Sequence, residues 1–234
     1  MKRIATMAAV GTAVCAISLA TSLPAFAAGP PPVDGHSSLA QIQAAASTAT
    51  SDRITSLKTA IGKVEANTSL TSGDRAKVLA TFNADVTAMG SMESKIAADT
   101  TAATALSDYH DVFTGYRVYA VALPQGFEAA AGDRLTATAI PKLQSAHDKL
   151  AADLAAHPSK WTDAMKAQLN DMASKISDAS GHANGLAGRA LAATPAQYNA
   201  DKTIITSIRA DLKTAVGDTK AAAADGHALV TALK

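Results

Sequence analysis

Cysteine is almost absent from this chain of 234 residues, which contains only Cys15. Cys15 lies inside an N-terminal apolar stretch that has the character of a cleavable export signal. Once that stretch is removed, neither a disulfide nor a cysteine metal site can form. The remaining chain must therefore be held together by packing alone.

Aromatic residues are also scarce, with one Trp, four Tyr and four Phe. Alanine, the strongest helix former, is abundant instead. A core built largely from Ala fills little volume per residue, so its helices must approach closely. This composition predicts long, thin helices.

Motifs for catalysis and for cofactor binding are missing from the sequence. It has no Gly-x-Ser-x-Gly, no phosphate-binding Gly-rich loop and only three Glu, which lie far apart. The densest set of metal-ligand types is Asp108, His110 and Asp111, but on a helix His110 points away from the other two. We therefore predict no enzymatic activity, no catalytic residues, no cofactor and no metal site.

Charge is nearly balanced, with 21 basic and 20 acidic residues. Removal of Lys2 and Arg3 with the export signal leaves 19 basic residues against the same 20 acidic ones. This balance argues against nucleic acid or an anionic membrane surface as a partner. No second apolar span follows, so we expect no membrane anchor after cleavage.

The N-terminus itself resembles a secretory signal peptide over residues 1–27. A basic start at Lys2 and Arg3 precedes an uncharged apolar run, which ends at an Ala-x-Ala site formed by Ala25 and Ala27. The alternative, a retained anchor, would need about 20 strongly apolar residues, whereas Thr and Ser dilute this run. We expect a secreted or cell-wall-associated protein with a Pro/Gly-rich leader at 28–37.

Helical periodicity covers the rest of the chain. Apolar spacings of three and four predict helices at about 38–67, 72–123 and 127–156, then one after Ser159 as its N-cap, and one from Pro195 to the C-terminus. We expect Gly90 and Gly115 to be points where the second helix could bend or break, and Pro141 to kink the third. The prediction is an all-α fold: an elongated antiparallel helical bundle of about five helices with coiled-coil-like hairpins. It would form one domain, 38–234, or two hairpin halves, about 38–123 and 124–234.

Two local patterns refine this prediction. The fourth helix carries a heptad seam, and the three glycines at its end, Gly181, Gly185 and Gly188, indicate close helix approach. Thr194, Pro195 and Gln197 form a capping-box signature at the start of the last helix. The seam residues are Met165, Leu169, Met172, Ile176, Ala179, Ala183 and Leu186.

Five of the nine aromatic residues fall within 109–127. Tyr109, Phe113 and Tyr116 would share one helical face by their spacing. The cluster is either the thickest part of the core or a recognition surface or pocket, because Tyr and Arg are frequent in such sites. As a candidate interaction or ligand surface it comprises Tyr109, Phe113, Tyr116, Arg117, Tyr119 and Phe127.

The chain has a family resemblance that rests on three segments: RVYAVALP at 117–124, DRIT at 52–55 and TPAQYNAD at 194–201. It resembles uncharacterised Ala-rich secreted helical proteins of high-GC Gram-positive bacteria. The resemblance implies export and helicity and brings no activity with it.

These observations favour a non-enzymatic structural or protein-interaction module, with a protein partner or self-association through long amphipathic helices. The alternative is a secreted small-ligand binder with a pocket near the aromatic cluster. An enzyme would require convergent buried polar groups, which the sequence does not indicate.

Overall fold

The computed structural model describes residues 33–234. The predicted signal peptide, Cys15 and residues 28–32 of the leader lie outside the described residues. From residue 33 onward all regular structure is helical and no strand occurs. The predicted all-α class is confirmed, with long helices that pack in the manner of a bundle.

The α-helices follow one another with short connections, and two π-helical turns and one 3-10 turn separate some of them. The π-helical turns are Val118–Ala122 and Leu135–Ala139, and the 3-10 turn is Pro158–Lys160. In chain order the α-helices are α1 (Leu39–Ala66), α2 (Ser72–Ala98), α3 (Ala102–Thr114), α4 (Leu123–Arg134), α5 (Ile140–Ala156), α6 (Asp163–Ala183), α7 (Leu186–Ala192), α8 (Pro195–Ala200) and α9 (Thr203–Ala232).

The described chain forms two compact units. The first unit contains residues 33–130 and 187–208. In it α1, α2 and α3 pack against one another. The two N–H groups of Gln43 Nε2 on α1 are shared among three carbonyl oxygens, those of Ile96 and Ala97 at 3.1 Å each and that of Asp99 at 3.2 Å. This side chain therefore lies among the carbonyls at the end of α2, of which that of Ile96 also accepts from the Asp99 N–H at 3.2 Å.

The second unit contains residues 131–186 and 209–234. Its apolar core draws on α5, α6 and the later part of α9, with Trp161 at one end. All seven residues of the predicted heptad seam, Met165 to Leu186, are buried. The apolar face predicted for this helix is therefore confirmed.

The predicted second helix, 72–123, is wrong as a single element. It ends at Ala98, and α3 begins at Ala102 with the Thr101 hydroxyl accepting from the Thr104 N–H at 3.3 Å. Gly90 lies inside α2 without a break. Asp and Thr side chains compete for backbone hydrogen bonds, so the Asp99–Thr101 stretch ends the helix where the apolar pattern alone does not.

The kink expected at Pro141 takes the form of a π-helical turn. Leu135–Ala139 directly precedes α5, in which Pro141 is the second residue. A proline in a helix lacks an N–H and clashes with the carbonyl four residues earlier. The wider turn in front of Pro141 is the irregularity that relieves both problems.

The Thr194–Gln197 capping box is confirmed, but the predicted single helix from Pro195 to the C-terminus is wrong, because the box opens α8 (Pro195–Ala200) and α9 begins only at Thr203. The predicted cap of the fourth helix also needs correction. Thr162, not Ser159, caps α6, and its hydroxyl accepts from the Met165 N–H at 3.2 Å. Gly185 has a positive φ of 64° and follows the end of α6. A Cβ built on any of the three glycines, 181, 185 and 188, would meet no atom of a neighbouring element within 4 Å, so close helix approach was the wrong interpretation.

Within residues 33–234, none of the helices combines the length and apolarity needed to cross a membrane.

Candidate functional site

The six candidate residues occupy four consecutive elements of the chain. Tyr109 and Phe113 lie on α3, which ends at Thr114. Tyr116 and Arg117 follow that end, Tyr119 lies in the π-helical turn and Phe127 lies in α4. The predicted helical face therefore holds for Tyr109 and Phe113 but not for Tyr116, because the helix stops before it.

The six residues also differ in exposure. Tyr109 is 2 % exposed and belongs to the core, whereas the other five are half-buried. Tyr109 and Phe113 stack edge to face with ring centroids 5.0 Å apart and an interplanar angle of 72°. This geometry is typical of a stabilising aromatic pair inside a core.

A buried arginine on α1 packs against two of these aromatic rings. The guanidinium carbon of Arg53 lies 4.2 Å from the ring centroid of Phe113 and 4.9 Å from that of Tyr119. One terminal nitrogen donates to the Ala49 carbonyl at 2.8 Å, and the residue is only 8 % exposed. Aromatic faces attract a cation, which makes them suitable neighbours for a guanidinium withdrawn from water.

Electrostatic effects follow from that burial. Desolvation lowers the pKa of Arg53, and the neighbouring Tyr119, Tyr109 and Asp52 partly oppose the shift. Desolvation raises the pKa of Tyr109, and the positive charge of Arg53 opposes it. Both groups keep their ordinary protonation states at neutral pH, with Arg53 a cation and Tyr109 a neutral phenol.

The backbone of Arg117 has an unusual conformation. Its φ of 48° and ψ of 38° place it in the left-handed region, and it is the one non-glycine residue with positive φ among residues 33–234. Its carbonyl accepts from the N–H groups of Ala120 at 3.0 Å and Val121 at 2.7 Å. A left-handed arginine is uncommon, and such strain concentrates at functional sites.

The side chain of Arg117 reaches a second group of polar residues around α8. Its Nε donates to Asn199 Oδ1 at 2.7 Å, and its guanidinium carbon lies 5.6 Å from the ring centroid of Tyr198. Lys202 approaches the same two residues, with Nζ 3.2 Å from Asn199 Oδ1 and 4.6 Å from the Tyr198 centroid. We call Arg117, Tyr198, Asn199 and Lys202 the Tyr198 face.

The Tyr198 face is accessible to solvent. Asn199 and Lys202 are exposed, and Arg117 and Tyr198 are half-buried. Tyr198 packs on a small apolar cluster of Val121, Ala193 and Ile205, which supports the ring from beneath. Two cations and an aromatic ring on one supported surface are a combination that recurs at recognition sites.

Sequence reasoning identified the aromatic residues and Arg117 but missed Arg53 and the residues around Tyr198. Arg53 lies four residues after Ala49 and four before Leu57, and both of these residues are buried. A cation at such an inward position of the apolar pattern could have identified Arg53 as a buried charge. Tyr198, Asn199 and Lys202 lie about 80 residues from Arg117 in sequence, and no local pattern links them.

Asp108, His110 and Asp111 do not gather into a site. Asp108 is 6 % exposed and its Oδ1 accepts from Lys95 Nζ at 2.8 Å, whereas His110 and Asp111 are exposed. Among the residues that the structure describes, no group of three or more His, Cys, Asp or Glu is placed to hold a metal ion.

Comparison of the chain with models of protein families, with curated proteins and with solved structures gives no significant match.

Proposed function

We propose that this chain is an exported, non-enzymatic helical protein that acts as a protein-interaction module at or outside the cell envelope. The observation that carries the proposal is the Tyr198 face, where Arg117 and Lys202 flank one accessible aromatic ring. Tyr and Arg are the residue types most often found at the energetic centre of protein interfaces. The N-terminal sequence of residues 1–27 supports export.

The alternative, a small-ligand pocket among the aromatic residues 109–127, receives less support. The Arg53 guanidinium lies 4.2 Å from the Phe113 ring centroid and 4.9 Å from that of Tyr119, and at 8 % exposure it fills this space inside the core, whereas Lys202 beside Tyr198 is exposed. Tyr109, the most deeply buried ring of that group, is only 2 % exposed. A ligand there would have to displace a charged side chain from the core.

Site-directed photocrosslinking in the producing cells tests the proposal. Tyr198 is replaced by p-benzoylphenylalanine, which keeps an aromatic ring on the Tyr198 face. The matched control carries the same crosslinker at Thr59, an exposed position on α1 in the same unit. We expect discrete crosslinked species with the crosslinker at position 198 and none of them at position 59.

The mass of the crosslinked species separates two forms of the proposal. Twice the mass of the chain indicates self-association, which sedimentation velocity at several protein concentrations checks independently. Another mass indicates a different partner protein. The proposal fails if position 198 gives no crosslink, or if positions 198 and 59 give the same pattern.

A further inference from the structure

Two cations on the Tyr198 face share a single neutral acceptor. Arg117 Nε and Lys202 Nζ lie 2.7 Å and 3.2 Å from the same oxygen, Asn199 Oδ1. The sum of these two distances limits the separation of the two nitrogens to about 6 Å, where like charges repel. Desolvation, and then the charge of Arg117, lower the pKa of Lys202, in line with that repulsion.

No carboxylate among residues 33–234 forms an ion pair with either cation. Asp201 is the acidic residue next to Lys202 in the sequence. Its Oδ1 accepts from the backbone N–H of Thr203 at 2.8 Å and from the Thr203 hydroxyl at 2.7 Å. A neutral amide oxygen stabilises a guanidinium and an ammonium less than a carboxylate does. No carboxylate of the described residues therefore neutralises the two positive charges.

The arrangement is also held in place before any partner arrives. Asn199 Nδ2 donates to the Thr114 carbonyl at 2.8 Å, which directs its Oδ1 toward the two cations. Arg117 reaches that oxygen from a left-handed backbone position. Fixed, charged donors of this kind lower the cost of ordering side chains on binding.

We infer that the Tyr198 face binds an acidic segment of a partner protein, with a carboxylate between Arg117 and Lys202 and an apolar side chain on the Tyr198 ring. This inference rests on the proposed function and specifies the chemistry of the partner. A peptide uses both the cations and the ring, whereas a free phosphate would leave the ring without a contact. Arginine binds carboxylates through paired hydrogen bonds, and its guanidinium carbon lies 5.6 Å from the ring centroid here.

Fluorescence anisotropy with a short labelled peptide of alternating Glu and Phe tests the inference on the purified full chain. The control peptide has Gln in place of every Glu. We expect the Glu peptide to bind at low salt at least about tenfold more tightly than the Gln peptide, with a loss of affinity as salt rises. Lys202→Gln and Arg117→Asn should each weaken binding about tenfold, and Asn tolerates the left-handed backbone of position 117.

Two further variants make the result specific. Asn199→Asp introduces an internal carboxylate beside both cations and should weaken binding of the Glu peptide. Lys58→Gln removes an exposed lysine of α1 in the same unit and should leave binding unchanged. Circular dichroism checks that each variant retains its helices.

The inference is overturned if the Glu and Gln peptides bind equally, or if Lys58→Gln weakens binding as much as Lys202→Gln. It is also overturned if inorganic phosphate binds this face and the peptide does not. Its failure is distinguishable from failure of the proposed function. A crosslinked partner at position 198 without peptide binding refutes only the acidic chemistry, and peptide binding without a crosslinked partner refutes only the interaction role.

Discussion

Replacement of Arg53 tests whether this buried cation is a structural part of the aromatic core. Its guanidinium contacts two rings, each worth about 0.5–2 kcal/mol, and makes one charged hydrogen bond worth about 1.5–3 kcal/mol. The cost of withdrawing the charge from water offsets several kcal/mol of this total. We therefore expect Arg53→Ala to lower the free energy of unfolding by about 2–3 kcal/mol, including the loss of packing by the side-chain stem.

Urea denaturation followed by circular dichroism measures this change. With a slope of about 2–3 kcal/mol per molar urea, the midpoint should fall by about 1 M. Fluorescence of Trp161, recorded in parallel, reports on the second unit, because this residue lies in that unit's core. Both probes should be compared with the same scan of the unmodified protein.

Arg53→Met is the matched control for this experiment. Methionine keeps much of the stem and makes favourable contacts with aromatic rings, and it removes a buried charge. We expect it to cost less than about 1 kcal/mol. If Arg53→Ala costs less than about 1 kcal/mol, or if the two variants cost the same, the explanation of Arg53 as a core-filling side chain is refuted.

Three other changes have outcomes that the structure predicts. Gly126→Ala should destabilise the protein in thermal denaturation, because the new Cβ would lie 2.7 Å from the Phe82 ring; a change in Tm smaller than the measurement error would contradict this. Burial raises the pKa of Asp85 to about 6, so its folded-state pKa exceeds its unfolded value and the stability it contributes is lost as pH rises from about 4 to about 6. Asp85→Asn should therefore be more stable than the unmodified protein at pH 7 but not at pH 4, and equal differences at both pH values would refute the desolvation argument. Lys95→Met should destabilise the protein because it leaves the buried Asp108 carboxylate without its 2.8 Å partner, and adding Asp108→Asn should restore part of the loss.

The helical class was predictable because its signals are local. Apolar spacing showed which stretches are helical, and all seven predicted seam residues are buried, six of them on α6 and Leu186 on α7. The capping box at Thr194 was also readable, because the cap and its Gln197 partner are only three residues apart. Each of these signals depends on neighbours within about two helical turns.

Helix ends inside Ala-rich sequence were harder to predict. The break at Asp99–Thr101 lies between two stretches of high helix propensity, and the apolar pattern continues across it. On α1, Ile54 and Ile61 are half-buried, whereas the neighbouring Arg53 and Ala60 are buried. Hydrophobicity alone would therefore misplace the inward face at these two positions by one residue.

The candidate site was predictable only in part, because its two halves come from distant segments. Arg117 was among the expected residues, but Asn199 lies 82 positions away, and only tertiary structure brings them together. The left-handed backbone was also unexpected at this point. Gly115 is the residue that propensity favours for that role, yet its φ is −78° and Arg117 takes the conformation instead.

The left-handed backbone of Arg117 can be tested for a role in binding by replacing this arginine with glycine. A left-handed non-glycine residue costs about 1–2 kcal/mol, which Arg117→Gly would recover in part. The same change removes the 2.7 Å hydrogen bond to Asn199, worth about 1–2 kcal/mol at an exposed site. The two effects nearly cancel, so the free energy of unfolding should change by less than about 1 kcal/mol.

Binding of the Glu peptide should nevertheless fall about tenfold in Arg117→Gly, because the guanidinium is lost while the fold is kept. Strain that is retained for function gives this separation of stability from binding, since relieving it costs affinity and not folding. If Arg117→Gly instead lowers the free energy of unfolding by more than about 2 kcal/mol, the arginine is a structural link between α8 and the end of α3. If it leaves both quantities unchanged, neither the strain nor the side chain contributes to recognition.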